Sequence, residues 1–162
     1  QFTIRNLELV NAPADQGATL LKTLDTTVSP MGARLLKRWM LMPLVDLVKI
    51  NERLDLTEQI IANEDWRLKV LQNIKSCGDI ERLVSKLPSK KLGPREMLQL
   101  AKGLEQIEII KTVAAAIDDP YLSRLADNLN GCAFFKEKIL LLKTIEMLSG
   151  HFLKVLFQEF AL

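Results

Sequence analysis

Pro94-Arg95-Glu96-Met97-Leu98-Gln99-Leu100-Ala101-Lys102-Gly103-Leu104-Glu105-Gln106-Ile107-Glu108-Ile109-Ile110-Lys111-Thr112-Val113 is the longest regular pattern in this chain. Met97, Leu100, Leu104, Ile107, Ile110, Val113 and Ile117 recur every three or four positions, which is the repeat of one helix face turned towards a core. About 24 residues of such a helix measure roughly 35 Å, enough to serve as the spine of a domain. Gly103 interrupts the pattern at a cost on the order of 1 kcal/mol relative to alanine, so close packing is expected there.

Upstream of the spine, Pro88 to Pro94 reads as a Lys-Ser-Gly-Pro connector. Two short helices are expected before it, over 65–75 and 79–87. Gly78 suits the end of the first, and Asp79 suits the N-cap of the second. Asp46 opens an earlier helix on which Leu47, Ile50, Leu54 and Ile61 form one apolar stripe. Ser29-Pro30 starts another, because serine can cap free N–H groups and proline fits the first turn. That helix runs through Leu35, Leu36, Trp39 and Met40 towards Pro43, and its stripe predicts a largely buried Trp39. Its other side carries Arg34, Lys37 and Arg38. These three are either an ordinary solvated face or a contact for an acidic surface, whether phosphate or a neighbouring domain.

At the N-terminal end, residues 2–9 alternate apolar and polar as a half-buried strand does. A turn-rich stretch over 11–17 ends it, and a short helix follows over 19–24. Downstream of the spine, Asp118-Asp119-Pro120 stops one helix and starts another over 121–129. The expected fold class is mainly α, a helical bundle-like core with a short N-terminal β-strand.

Composition sets limits on function. The chain has 162 residues, 48% hydrophobic and only 6% aromatic, with 22 basic against 20 acidic side chains. Its net charge of +2 lacks the strong basic field of a stand-alone nucleic-acid binder. Cys77 and Cys132 are too few and too far apart for a disulfide framework or a zinc site. His151 is the only histidine, which leaves no metal cluster and no base for a serine or cysteine triad. The glycines form no phosphate-cradling loop. Neither a secretory leader nor a membrane-length apolar run is read in the sequence. The expectation is a cytoplasmic domain with no catalytic, cofactor-binding or metal-binding residues of its own.

Particular words say more than periodicity does. Arg5-Asn6-Leu7-Glu8-Leu9, followed by Leu24-Asp25-Thr26-Thr27-Val28-Ser29-Pro30-Met31-Gly32-Ala33-Arg34-Leu35-Leu36-Lys37-Arg38-Trp39, closely resembles the opening of the core (lever) domain of the MutS DNA mismatch repair family. Members read there R-N-L-E-L and then L-D-x-T-x-[ST]-P-M-G-x-R-x-L-[KR]-R-W. Met42-Pro43-Leu44, Ile50-Asn51-Glu52-Arg53-Leu54, Gly78-Asp79-Ile80-Glu81-Arg82-Leu83 and Pro94-Arg95 continue the series in order. The resemblance implies a fragment of an ATP-driven dimer that clamps mismatched duplex DNA, with ATP and Mg bound by parts outside this chain. It implies a connector that couples mismatch binding to the ATPase through the other domains of the same protein. The rival reading is a helical protein–protein interaction module unrelated to repair.

The resemblance covers about residues 2–138 and departs after Ile139. Residues 1–139 are therefore read as the first part of the core domain, and 140–162 as an apolar helical tail not matching the family. Leu141, Ile145, Leu148, Phe152 and Val155 mark one face of that tail. One or two apolar helices over 134–160 are expected, hinged at Gly150. They either fold back over the hub or pair two copies as a homodimer.

Overall fold

The computed structural model describes residues 8–10, 18–89 and 91–149. Among these the chain is mainly helical, in two compact units, Gln1–Ala62 and Asn63–Leu162. The first unit holds α1 (Leu20–Leu24), α2 (Pro30–Leu41) and α3 (Leu47–Ala62). The second holds α4 (Glu64–Cys77), α5 (Ile80–Ser85), α6 (Pro94–Ala114), α7 (Pro120–Asp127) and α8 (Ala133–Ser149).

The strand expected over 2–9 lies mostly outside the described residues. Its described end, Glu8 and Leu9, is turn and not strand, with Glu8 at φ 49°. The carbonyls of Glu8 and Leu9 instead accept from the N–H groups of Leu20 and Leu21 at 3.2 and 2.9 Å. They meet donors at the start of α1 that have no partner inside the helix. No strand occurs among the described residues.

In the second unit every element packs on α6. Met97, Leu100, Ala101 and Leu104 of its first half are buried, together with Leu83 of α5, Leu92 of the connector and Ile139 of α8. Ile139 is fully enclosed (0% exposed). The C-terminal part of the expected stripe, Ile110, Val113 and Ile117, is only partly covered. The helix ends at Ala114, before Ile117. The N–H groups of Ala116 and Ile117 bond to carbonyls three residues back, the tightened last turn that closes many helices.

Two contacts fix how α4 lies along α6. Trp66 Nε1–H donates to the Val113 carbonyl at 2.8 Å, near the start of α4 and the end of α6. At the other end of α4, the Cys77 thiol lies 3.7 Å from the Gly103 carbonyl. Trp66 to Cys77 and Gly103 to Val113 are nearly equal stretches of helix, roughly 15 Å each. The pair therefore runs antiparallel in one register. A Cβ at Gly103 would stand 2.6 Å from the Cys77 carbonyl oxygen and 2.8 Å from Ile80 Cγ1. The close packing expected at this glycine is present.

Local chemistry starts or stops several of these helices. Gly78 ends α4 at φ 69°, a conformation that costs glycine little. Asp79 caps α5 by accepting from the Arg82 N–H at 3.2 Å, and buried Asp119 caps α7 through the Leu122 N–H at 2.7 Å. At the head of α6, Gly93 N–H donates to Glu96 Oε2 at 3.2 Å, while the other Glu96 oxygen pairs with the Lys86 ammonium. The Lys86 side-chain bond, with the Gly93 N–H second, holds the Glu96 carboxyl below the usual glutamate range.

Residues 150–162, including His151 and the Gly150 hinge, lie outside the described residues. α8 passes residue 140 without a break. No helix among the described residues is long and apolar enough to cross a membrane.

Gly103→Ala should destabilise the chain by about 1–3 kcal/mol in urea melts, because overpacking outweighs alanine's helix propensity. A stabilised variant would mean that α4 and α6 separate readily. The depressed Glu96 pKa makes a second expectation. Its stabilising contribution is present above the unfolded glutamate pKa and fades as pH falls through the lower folded value. The stability gap between the native chain and Glu96→Gln should therefore be open near neutrality and close in acid. A gap that widens in acid would contradict the assigned cause.

Candidate functional site

The words that gave the family resemblance build the entry to α2. Asp25 Oδ1 accepts both the Thr27 N–H at 3.0 Å and the Thr27 hydroxyl at 2.6 Å, which fixes the turn ahead of the helix. The hydroxyl bond, then the backbone one, lowers the Asp25 pKa. Ser29 Oγ accepts the Gly32 N–H at 3.1 Å with Pro30 in the first turn, as expected. A Cβ at Gly32 would lie 3.1 Å from that Ser29 oxygen, so the glycine leaves room for the cap.

On the helix started this way, Arg34, Lys37 and Arg38 are all exposed. Spacings of three and four place them on one side of α2. Trp39 departs from expectation. It is 43% exposed, with the Arg53 guanidinium of α3 over its ring at 3.9 Å to the centroid. The apolar stripe predicted a core tryptophan; a cationic cover on a half-open ring is what the structure has. The missed residue is Arg53. Its position in Ile50-Asn51-Glu52-Arg53-Leu54 was legible, but nothing in the sequence marked Trp39 as its partner.

More of this unit is open than the stripes imply. Met42 (73% exposed), Val45 (95%), Leu47, Val48, Leu54 and Ile61 all show apolar surface, and Leu56 is the buried residue of α3. The stripe expected on Leu47, Leu54 and Ile61 is thus not a core face within the described residues. The first unit presents a basic row on α2 and exposed apolar side chains at Met42, Val45, Leu47 and Val48.

The second unit has a shallow cleft of about 360 Å³, lined by Cys77, Asp79, Arg82, Glu96, Gln99 and Lys102 among others. Burial pushes the Cys77 thiol up, which disfavours the reactive thiolate. Among the described residues no three His, Cys, Asp or Glu side chains are placed to hold a metal.

The family described as MutS domain III matches residues 2–152. The chain belongs to the MutS domain III family. It is 43% identical over 140 residues to the DNA mismatch repair protein MutS of Cytophaga hutchinsonii, covering 86% of this chain. The proteins of the same name from Bacteroides fragilis and Bacteroides thetaiotaomicron are 42% and 40% identical over 139 residues, again 86% of this chain. The chain spans 16% of the length of each of these relatives. The MutS domain III match takes in the α2 entry, the basic row, the Trp39–Arg53 stack and the Gly103 crossing.

A double-mutant cycle on Trp39→Ala and Arg53→Ala should give a coupling of about 0.5–1 kcal/mol, the range of an exposed cation–π contact. Zero coupling would show that the stack contributes nothing to holding α2 against α3.

Proposed function

We propose that this chain is the core segment of a DNA mismatch repair ATPase and acts as a structural and allosteric connector between mismatched-DNA binding and nucleotide hydrolysis. The observation that carries this reading is the MutS domain III match over residues 2–152, in relatives named for DNA mismatch repair. The exposed face of the first unit supports the connector role. A basic row beside apolar side chains suits docking against another part of the same protein better than it suits catalysis. ATP and Mg belong, on this reading, to parts of the full-length protein outside this chain, as does direct contact with the mismatch.

Arg34, Lys37 and Arg38 are the residues we assign to the interdomain contact, with a weak phosphate contact as the other use of the same charges. Residues 1–139 form the first part of the core domain. The apolar stretch over 140–162 covers the hub or pairs two copies.

The coupling between sites in an allosteric protein is typically 1–3 kcal/mol, or about 5- to 150-fold in affinity. In the full-length protein, replacing Arg34, Lys37 and Arg38 by alanine together should leave unstimulated ATP hydrolysis in place and weaken its response to mismatched duplex by a factor in that range. An unchanged response would remove the assignment. The 162-residue chain alone should neither bind nor hydrolyse ATP. Its DNA affinity should be weak, indifferent to a mismatch, and fall with salt at a log–log slope of about −3 or shallower. Saturable nucleotide binding by calorimetry, or a clear preference for mismatched duplex, would show that recognition resides in this segment.

A further inference from the structure

Asn130-Gly131 is the one Asn-Gly pair in the sequence, and it forms the turn between α7 and α8. In such a pair the glycine nitrogen reaches the asparagine amide carbon with little hindrance. Glycine has no Cβ in the way and visits backbone conformations closed to other residues. Asn130 is exposed, and its Oδ1 accepts the Cys132 N–H at 2.8 Å, which folds the side-chain amide over its own backbone. That bond also draws electron density from the amide carbon.

The nucleophile is held elsewhere. Gly131 is buried, and its N–H donates to Glu108 Oε1 of α6 at 2.7 Å. The Glu108 side chain is seated so closely that a Cβ at Gly131 would collide with its carboxylate and its Cγ. One helical turn further along α6, Lys111 Nζ donates to the Leu129 carbonyl at 3.2 Å and pins the chain on the other side of Asn130. The negative charge beside the Gly131 nitrogen also opposes the negative charge that builds there and on the amide oxygen during attack.

We propose that Asn130 is a site of spontaneous deamidation that the fold keeps unreactive through the Glu108 carboxylate on the Gly131 N–H. When the turn opens, the Gly131 nitrogen bonds to Asn130 Cγ, the Cγ–Nδ2 bond breaks, and the amine leaves with the Gly131 proton as ammonia. Water then opens the five-membered imide at either carbonyl, leaving aspartate or isoaspartate; nothing is oxidised or reduced. Isoaspartate adds a methylene to the main chain inside the turn. That longer main chain no longer fits the turn held by Glu108 and Lys111, and it loosens the start of α8.

The test compares residue 130 in the whole chain, folded and in denaturant, at mildly alkaline pH, following the amide-to-acid mass gain and isoaspartate by peptide mapping. The folded chain should react roughly ten- to a hundredfold more slowly, the factor expected where a hydrogen bond to a charged acceptor has to break first. Glu108→Ala, shown to be folded by circular dichroism, should react close to the denatured rate. Glu108→Gln, which keeps an uncharged acceptor, should fall between the two. Lys111→Met loosens the same turn but leaves the Gly131 bond, so it should stay slow. Equal rates in folded and denatured native chain would overturn the proposal. So would unchanged rates in both Glu108 variants, or a Lys111→Met rate matching Glu108→Ala.

Discussion

The second unit depends on how closely α4 approaches α6. Gly103 sits with the Cys77 carbonyl where its own Cβ would be, and that contact sets the depth to which the two helices interlock. Trp66 on the Val113 carbonyl sets their register at the far end. With both ends fixed, α5 leaves Gly78 in a direction that delivers Leu83 to the core, and Leu92 and Ile139 close over Met97, Leu100 and Leu104. A glycine in mid-helix is a local weakness of about 1 kcal/mol. Here it is the condition for a packing arrangement that involves three helices.

The same logic explains which parts of the fold were legible. Helix ends follow from local chemistry, and Ser29-Pro30, Gly78-Asp79 and Asp119-Pro120 each act where their residue types predict. Gly103 was legible as a close approach because the surrounding apolar pattern left no other use for it. Burial was less so. Periodicity says that apolar residues share a face; it does not say what covers that face. Trp39, Leu47, Leu54 and Ile61 satisfy the helical period and remain open, while Leu56, off the expected stripe, is the buried residue of α3. The N-terminal alternation over 2–9 predicts a strand, yet its described end bonds to the start of α1. Alternation over a few residues is a weak signal when no partner strand is available.

The candidate site was legible only as a set of positions. Arg34, Lys37 and Arg38 fall on one side of α2 by spacing alone, and their exposure agrees with either a solvated row or a contact. What spacing could not supply was Arg53 over Trp39, a pairing between two helices that converts an aromatic meant for a core into half-open surface. Tertiary pairs of this kind have no sequence period, so they emerge only once the helices are placed.

The residues at the entry to α2 that match the family also have direct structural roles. In Leu24 to Trp39, the Asp25 carboxylate, the Thr27 hydroxyl, the Ser29 oxygen and the space at Gly32 all serve the backbone at the head of one helix. The Ser29 cap is worth about 1 kcal/mol, and all of these groups act on the chain itself. Together they fix where α2 begins and therefore which way Arg34, Lys37 and Arg38 face. The proposed connector role needs that kind of precision. A coupling of a few kcal/mol passes between distant sites only if the packed elements between them hold discrete arrangements, and a helix whose start can slip by a residue turns its contact row by about 100°. The most recognisable stretch of the chain is therefore one that controls orientation, which is what the proposed connector role requires.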